Sequence, residues 1–417
     1  MNNWETISFE NAPLEIIDGD RGVNYPKQSD FMASGYCLFL NAGNVTEFGF
    51  DFSDCSFINE AKDNKLRKGK LARHDIVLTT RGTVGNLAYY DDRIPFENIR
   101  LNSGMVIIRP NKERIFPRYL YFLLKSSIFS EQVSAFTTGS AQPQLPIRDI
   151  KRIEFSLPPL LEQRAIAGIL GALDDKIEHN RRMNCTLESM ARAVFRQWFV
   201  ENGDVEKWEE SSLEEIFGKK SDCVLTGPFG SHLHAHDYRE EGTPLILVKH
   251  VIDGHILEDR LPLVGEHKLA EMKRYLLEVG DIVFTRVGAV GRSAYIHPRH
   301  KGWMISGQTL RVRVPNKSKL NPRFLAQIYL EQSFIDMVEQ HALGTTRPSL
   351  NTSILSSFKF VLPPIELQNK FGEFAEAIDN KVQQNLEESR TLASLRDSLL
   401  PKLMRGEVRV RDVEEKG

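Results

Sequence analysis

Apolar side chains recur in alternating steps of four and three residues along two long stretches of the chain. The first stretch follows residues 157–163, Leu-Pro-Pro-Leu-Leu-Glu-Gln, and the second follows residues 362–368, Leu-Pro-Pro-Ile-Glu-Leu-Gln. A period of about 3.5 residues is typical of a coiled-coil seam. We therefore predict two long helices that pair with each other. The predicted seam positions are Ile166, Leu170, Leu173, Ile177, Asn180, Leu187 and Val194 in the first helix, and Ile378, Val382, Asn385, Leu392 and Leu399 in the second.

Two asparagines interrupt these apolar seams. Asn180 and Asn385 occupy matching positions, 205 residues apart (385 − 180). A polar residue in a seam lowers stability but fixes the register of the helices and the choice of partner. The sequence therefore predicts that the register of Asn180 with Asn385 sets how the two helices align.

An alternative is that each helix packs on its own globular domain. The Leu-Pro-Pro start argues against it, because the residue before a proline favours extended backbone and the proline pair is rigid. Such a segment is expected to direct the helix away from the domain that precedes it.

The chain is an internal duplication. Residues 75–85 return as residues 281–291, an offset of 206 (281 − 75), and the Leu-Pro-Pro motifs are 205 residues apart (362 − 157). Several motifs repeat in the same order at nearly this offset, which indicates a duplicated pair of domains. The predicted domains are residues 1–156 (first mixed domain), 157–206 (first helix and linker), 207–361 (second mixed domain), 362–406 (second helix) and 407–417 (charged tail).

Each mixed domain contains short β-rich runs between Gly- and Asn-containing turns, followed by helical patterns. Residues 75–80 and 281–285 are examples of such runs, and a helix start is predicted at Pro117 and Pro322. These runs do not alternate regularly with helices. The predicted fold class is therefore α+β, with a curved sheet in each domain.

The composition is that of an ordinary folded protein of 417 residues, with 41% hydrophobic and 26% charged residues. No apolar run approaches the ~18 residues of a membrane span, and the N-terminus lacks a signal-peptide pattern. The four cysteines are scattered and form no C-x-x-C pair, so we expect reduced thiols and a cytoplasmic protein. The net charge of −2 lacks the basic excess that is typical of nucleic-acid-binding proteins, although one face of the protein can still be basic.

Catalytic motifs are missing from the sequence. It contains no G-x-x-x-x-G-K-[ST] loop, no H-E-x-x-H helix and no G-x-S-x-G elbow. His232, His234 and His236 could share one face of a strand as a metal triad, but a polar loop is favoured. Asp75 and Asp281 are interpreted as turn formers, not acid catalysts. We therefore expect a chain that is not an enzyme and holds no metal.

Two similar domains joined by a spacer favour recognition of two sites, and the motifs identify a family that works in this way. In order, they resemble the specificity (S) subunit of type I restriction–modification systems. The resemblance covers essentially the whole chain. It rests on residues 227–231 (Gly-Pro-Phe-Gly-Ser), 280–283 with 288–291, 139–143, 344–348 and the two Leu-Pro-Pro-x-x-x-Gln helices.

The resemblance implies two target recognition domains joined by an antiparallel coiled coil, a pseudo-twofold internal repeat. Each domain would read one half of a bipartite, asymmetric sequence in double-stranded DNA. It implies two methyltransferase (M) subunits as partners, and restriction (R) subunits where cleavage occurs. S-adenosylmethionine, ATP and magnesium would belong to those partners, which would methylate adenine or cleave DNA in defence against foreign DNA; no cofactor is expected in this chain.

The first copy departs from the motif set, with Gly19-Asp20-Arg21-Gly22 near the place of Gly-Pro-Phe-Gly-Ser in the second copy. Loops near the strands supply polar and basic side chains of the kinds that contact phosphates or base edges. The candidate DNA contacts are Arg21, Asn24, Tyr25, Lys27, Asn41, Asn44, Thr80, Arg81, Thr83, Ser140 and Gln142 in the first copy, and Lys249, His250, Arg286, Arg292, Thr345, Thr346 and Arg347 in the second.

A second interpretation belongs to a different class of protein. The mixed domains would bind protein partners, and the chain would be a two-domain adaptor that dimerises through its coiled coil. The near-neutral charge slightly favours this class. Salt discriminates between the two, because DNA binding weakens steeply as phosphate-bound counterions compete.

Overall fold

The computed structural model describes residues 4–137, 143–219, 221–228, 233, 237–252, 254–342 and 348–410. The chain forms two compact units. Unit 1 is Met1–Asn180 with Leu386–Gly417, and unit 2 is Arg181–Asn385. Each unit therefore contains one mixed domain and one half of each long helix.

Unit 1 contains eleven of the strands described. They are β1 (Glu5–Ser8), β2 (Leu14–Asp18), β3 (Cys37–Leu40), β4 (Val45–Thr46), β5 (Gly49–Phe50), β6 (Phe57–Ile58), β7 (Ile76–Thr79), β8 (Leu87–Tyr89), β9 (Ile99–Leu101), β10 (Met105–Pro110) and β11 (Glu154–Leu157). Its short helices are α1 (Glu60–Lys65), α2 (Pro117–Lys125), α3 (Ser127–Phe136) and α4 (Ile147–Ile150). The long helix α5 spans Leu160–Phe199 and enters both units.

The centre of unit 1 is a four-stranded antiparallel sheet in the order β2-β10-β7-β8. β7 and β10 are almost entirely buried because side chains from both of their faces enter apolar clusters. Ile76 and Ile108 belong to the cluster that includes α2, whereas Val77 and Ile107 belong to the cluster that includes β3. A three-stranded sheet, β6-β3-β9, in which β3 and β9 are parallel, contributes β3 and β9 to this second cluster.

Unit 2 repeats this plan. Its strands are β12 (Glu210–Ser211), β13 (Val224–Thr226), β14 (Tyr238–Arg239), β15 (Thr243–Ile246), β16 (Val251–Ile252), β17 (His255–Ile256), β18 (Leu263–Val264), β19 (Ile282–Thr285), β20 (Ser293–Tyr295), β21 (Met304–Ile305), β22 (Thr309–Val312) and β23 (Phe360–Val361). Its helices are α6 (Leu213–Phe217), α7 (Glu266–Met272), α8 (Pro322–Ile328), α9 (Gln332–Ala342) and α10 (Thr352–Ser357), followed by the long α11 (Ile365–Met404), which enters both units.

The central sheet of unit 2 has the order β13-β22-β19-β20 and is also antiparallel throughout. β15 pairs with β21 in parallel, as β3 pairs with β9 in unit 1. The matching strand orders confirm the predicted duplication and the α+β class. The parallel pairs are a feature that the sequence pattern did not predict.

The long helices pair in antiparallel fashion within each unit. In unit 1, Arg396 on α11 donates to Asp174 on α5 at 2.6 Å, and Lys176 lies 3.0 Å from Glu388. The contacts pair rising residue numbers on α5 with falling residue numbers on α11, as expected for antiparallel helices. No helix among the described residues combines the length and apolarity needed to cross a membrane.

The buried asparagines form hydrogen bonds between the two long helices. Asn180 donates to Glu388 at 2.9 Å and to Ser389 at 3.3 Å in unit 1, whereas Asn385 donates to Asn184 at 2.7 Å in unit 2. Each of these asparagines therefore hydrogen-bonds to the opposite helix. That the register of Asn180 with Asn385 sets how the two helices align stays a prediction.

The start of each long helix packs on the domain that precedes it, contrary to the expectation drawn from Leu-Pro-Pro. Ile166 and Leu170 join the core of unit 1, and Phe371 and Ala375 join the core of unit 2. The same first turns also contact the other long helix, as Phe371 does with Phe195 at a ring-centroid distance of 5.2 Å, so packing on the domain and pairing between the helices occur together.

The glutamine of each Leu-Pro-Pro-x-x-x-Gln motif explains this attachment. Gln163 accepts a hydrogen bond from the Phe116 backbone N–H at 2.8 Å and donates to the carbonyls of Arg114 and Pro158. Gln368 accepts from the Asn321 N–H at 2.9 Å and donates to the Pro363 carbonyl. Both side chains are buried with their amide groups satisfied, so each one fixes a helix start to its own domain.

Candidate nucleic-acid interface

One edge of the central sheet gathers the loops of unit 1. Asp18, the last residue of β2, pairs with Val106 near the start of β10, and Thr79, the last residue of β7, pairs with Met105. The loops after β2 and β7 and the turn before β10 therefore emerge at the same edge. We call this the loop edge of unit 1; it contains residues 19–27, 80–86 and 102–104.

Unit 2 has the equivalent loop edge. Thr226 at the end of β13 pairs with Leu310, and Thr285 at the end of β19 pairs with Thr309. Residues 227–228 after β13, residues 286–292 and residues 306–308 emerge together. Gly19 and Gly227 play the same part in the two units, since a Cβ atom there would overlap the carbonyl oxygens of Asn102 and Ser306, respectively. The departure of the first copy from Gly-Pro-Phe-Gly-Ser therefore preserves the glycine that the packing requires.

The loop between β7 and β8 has an ordered base and an exposed tip. Thr79 donates its hydroxyl to the Thr83 carbonyl, and Gly82 and Gly85 adopt positive φ angles of 76° and 99°. Arg81 and Thr83 are exposed, and no ion pair or side-chain hydrogen bond of Arg81 occurs among the described residues. Thr80 is 6% exposed and donates to the Gly104 carbonyl at 3.0 Å, so its predicted role as a DNA contact is corrected to a structural one.

The corresponding loop of unit 2 begins and ends with the same backbone arrangement but carries different side chains. Thr285 donates to the Ala289 carbonyl, as Thr79 does to Thr83, and Gly288 and Gly291 take positive φ angles. Arg286 is half-buried and Arg292 is exposed. The backbone of each loop is thus repeated, whereas the groups at its surface differ.

Asn44 and His250 are buried at equivalent positions, 206 residues apart (250 − 44). Each is the last residue of a 3-10 turn after the parallel-paired strand, and each accepts from the backbone N–H three residues earlier, at 3.0 and 3.1 Å. Burial lowers the pKa of His250, so its ring stays neutral near pH 7. Asn44 and His250 were predicted to contact DNA, but the structure shows that they are buried and hold their loops in place. Their exposed neighbours Asn41 and Lys249 remain candidates.

The loop after β2 carries four candidates in different settings. Arg21 and Lys27 are exposed. Asn24 donates to the Lys65 carbonyl at 3.3 Å, and Tyr25 packs edge-on against Phe39 with ring centroids 5.7 Å apart. Asn24 and Tyr25 therefore attach this loop to its own domain, and the two cations are its most available groups.

The sequence analysis missed a pair of exposed basic residues in each unit. Arg67 and Lys68 in unit 1 and Lys273 and Arg274 in unit 2 are exposed and occupy positions 206 residues apart (273 − 67). In unit 1 the pair adjoins the loop edge because the Arg67 N–H donates to Asp20 at 2.6 Å. The run Lys65-Leu66-Arg67-Lys68-Gly69-Lys70 is visible as a local charge pattern and could have revealed the first pair.

A buried arginine holds the backbone of each basic pair. Arg100 donates to the Lys68 carbonyl at 2.8 Å, and Arg311 donates to the Arg274 carbonyl at 3.0 Å. Both arginines are 5% exposed. Each unit therefore fixes the backbone that carries two exposed cations, an arrangement suited to phosphate contacts.

Asp75 and Asp281 are turn formers, as predicted. Asp75 accepts from the Ala72 N–H at 2.7 Å and receives Arg109 on both oxygens at 2.7 and 2.8 Å. Asp281 does the same with the Glu278 N–H and Arg313. Both carboxylates are 1% exposed and fully engaged, so they stabilise the sheet away from its surface.

The remaining candidates lie outside the described residues: Ser140, Gln142, Thr345, Thr346 and Arg347. The same holds for His232, His234 and His236 of the possible metal triad. No cluster of three or more His, Cys, Asp or Glu suited to a metal ion occurs in the part of the chain that the structure describes.

A cavity of about 80 Å³ in unit 2 lies away from the loop edge. It is lined by Tyr295 and His297, at the far end of β20, and by Arg323 and Asp379, which form an ion pair. Burial lowers the pKa of His297 to about 2 and raises the pKa of Asp379, while the neighbouring Arg323 opposes the latter effect. The cavity therefore belongs to the packing of α8 and α11 on the sheet.

Comparison with known proteins gives the class to which this architecture belongs. A family model of the type I restriction modification DNA specificity domain matches residues 15–189 and again residues 205–392. The two matches cover most of the two mixed domains and the paired helices. The chain therefore belongs to this family, and its role is DNA sequence recognition in a type I restriction–modification system.

Individual relatives agree with this assignment. The chain is 27% identical to the type I restriction enzyme MjaIX specificity subunit of Methanocaldococcus jannaschii, over 81% of this chain and 78% of that protein. It is 23% identical to the HindI specificity subunit of Haemophilus influenzae, over 98% of this chain and 100% of that protein. A crystal structure of a type I S subunit from M. genitalium has the same fold, with a TM-score of 0.58, 18% identity and 97% of both chains covered.

Proposed function

We propose that each unit of this specificity subunit reads one half of a bipartite, asymmetric DNA sequence. The observation that carries the proposal is the repetition of one loop edge with different exposed side chains. The backbone scaffold is common to both units, down to the paired roles of Thr79 and Thr285. The groups at the surface differ, with exposed Arg81 and Thr83 on one loop, and half-buried Arg286 and exposed Arg292 on the other. Two similar scaffolds with different surfaces suit two different half-sites.

The basic pairs would supply affinity that is independent of sequence. Lysine and arginine contacts to phosphates position a protein on duplex DNA, while base-edge contacts specify the sequence. Arg67 with Lys68 and Lys273 with Arg274 suit the first role, since their backbone is held by buried arginines. Exposed loop residues such as Arg81 suit the second role. This division reconciles DNA binding with a net charge of only −2.

The paired helices would set the spacer between the half-sites and dock two methyltransferase (M) subunits. Helices of 40 residues, such as α5 and α11, are about 60 Å long at 1.5 Å per residue. Their buried asparagines support a single register. S-adenosylmethionine would belong to the M subunits, and ATP and magnesium to restriction (R) subunits where these are present. This chain would determine the DNA sequence that directs adenine methylation and cleavage.

The proposal is tested by single-molecule sequencing of methylated adenines in a host that carries this chain with its methyltransferase subunit. The expected result is one bipartite motif with two dissimilar halves and a constant spacer. A palindromic or undivided motif, or none, would contradict the proposal. Binding of the purified complex to its motif should also weaken steeply with salt; salt-independent association would favour the adaptor alternative.

A further inference from the structure

Arg21 is the one exposed candidate in the loop after β2 whose guanidinium is held by acceptors from two separate segments of the described chain. Its Nη2 atom lies 3.2 Å from Asp18 Oδ1 and 3.1 Å from Asp18 Oδ2. The same atom donates to the Ser103 carbonyl at 3.2 Å. Asp18 ends β2 and Ser103 lies in the turn before β10, so the guanidinium sits at the loop edge of unit 1.

The guanidinium is oriented without being buried. The Arg21 side chain is 48% exposed, and no contact of its Nε or Nη1 occurs among the described residues. Ordering a free arginine side chain costs conformational entropy. Contacts already present in the protein reduce that loss when DNA binds. Arg81, on the neighbouring loop, has no described acceptor of this kind.

Asp18 has no evident role in attracting DNA. A carboxylate at an edge that carries Lys27, Arg67 and Arg81 repels phosphates and lowers affinity for all sequences. Its side chain is 25% exposed, so it is not a core residue either. A group that lowers general affinity while orienting a reader raises the difference between right and wrong partners, which is specificity.

We propose that Arg21, oriented by Asp18, reads a guanine in the first half-site. Guanine is the base that presents two acceptors, O6 and N7, side by side in the major groove, and they match the arginine fork. The Nη1 hydrogens are available, and exchange of the weak Ser103 contact frees Nη2 to complete the fork. This inference rests on the proposed function and adds to it one base identity and the side chain that selects it.

The assignment applies to unit 1 alone. The strand of unit 2 that corresponds to β2 ends in Thr226, which has no carboxylate. An Asp–Arg pair at this place is therefore a feature of one recognition domain. Variants of the pair should change one half-site and leave the other as an internal control.

The test uses the full chain in complex with its methyltransferase subunits, as R21A, R21K and D18N variants. Binding is measured on duplexes that carry each of the four base pairs at every position of the first half-site. The wild-type complex should prefer one G·C pair about 10- to 100-fold over the alternatives. R21A should remove this preference and leave the second half-site unchanged. R21K should keep general binding but lose the preference, because lysine lacks the fork. D18N should weaken the preference and retain general binding.

Several results would overturn the assignment. One is an R21K complex with its base preference intact, and another is an R21A complex that binds every duplex equally less well; either result makes Arg21 a phosphate contact. A first half-site without a fixed G·C pair would also exclude the assignment of Arg21 to a guanine. Intact recognition of the second half-site confirms folding, and D18N and R21K carry the test if R21A does not fold. If the wild-type complex lacks any sequence preference, the proposed function itself fails, which is a distinguishable outcome.

Discussion

Asn385 on α11 donates a hydrogen bond to the side-chain oxygen of Asn184 on α5 at 2.7 Å, inside a largely apolar helix seam. Both residues are buried, so each side chain depends on protein partners for its hydrogen bonds. The pair is satisfied only when the helices adopt one antiparallel register.

Breaking this pair on one side should therefore destabilise the protein more than replacing both residues. Asn385→Leu leaves the Asn184 oxygen without this donor and should lower the free energy of unfolding by about 1–3 kcal/mol. The double variant Asn184→Leu with Asn385→Leu should recover part of that loss, since neither amide of the pair is then left in the seam without the other. Urea unfolding of the purified chain checks both values. A double variant less stable than the single one would contradict this account.

Arg81→Ala should weaken binding through the first half-site only, by about 1–3 kcal/mol if Arg81 contacts a base. The physical reason is that Arg81 is exposed at the tip of the β7–β8 loop, where its side chain can enter a groove. Arg292→Ala, on the equivalent loop of unit 2, is the matched variant and should affect the second half-site only. Competition binding with half-site mutants measures both effects. An equal loss on all DNA would make Arg81 a phosphate contact.

Removal of a basic pair should weaken binding to all sequences alike. Each lost phosphate contact lowers the slope of log affinity against log salt by about 0.9, so Arg67→Ala with Lys68→Ala should lower it by about 1–2. Lys317 and Lys319 offer a matched control, because they are exposed beyond the opposite end of β22. Their double alanine variant should bind as wild type does. A change in base preference in the Arg67 and Lys68 variant would contradict a phosphate role.

A heptad inserted into both long helices should lengthen the spacer of the recognised sequence. Seven residues add about 10 Å of helix, or about three base pairs at 3.4 Å each. A seven-residue insertion preserves the seam, because the hydrophobic pattern repeats every seven residues. Methylation mapping of the variant reports the spacer and both half-sites. An unchanged spacer would exclude the helices as its determinant, and altered half-sites would indicate damage to the recognition domains.

Acid should destabilise unit 2 through His297. Burial and the nearby Arg323 lower its pKa to about 2, from the usual value near 6.5. The unfolded chain therefore takes up this proton more readily below pH 6.5, and the stabilising contribution present above that pH is lost as the pH falls towards 2. The slope is at most about 1.4 kcal/mol per pH unit. His297→Phe should reduce the loss of unfolding free energy between pH 7 and 5, and an unchanged slope would contradict the assignment.

Much of the architecture could be predicted from local patterns. The duplication, the α+β class and the two long helices follow from repeats and periodicities that lie within short stretches of sequence. The Asp75 and Asp281 turns were likewise recognised from their neighbours. The candidate site was predicted only as a set of loops. Thr80, Asn44 and His250 were included because of their chemistry, yet all three are buried and hold loops together.

What the sequence alone determined is therefore the list of elements, the repeat and the chemical types available in each loop. The tertiary structure decided which of these groups meet. Asp18, Arg67 and Ser103 are brought to one edge because antiparallel strands place distant chain segments side by side. Asn385 meets Asn184 because direction and register belong to the helix pair and not to either helix. Whether a side chain is buried, and which side chain it contacts, depends on segments that lie some 200 residues apart in the chain. No local sequence pattern specifies such contacts.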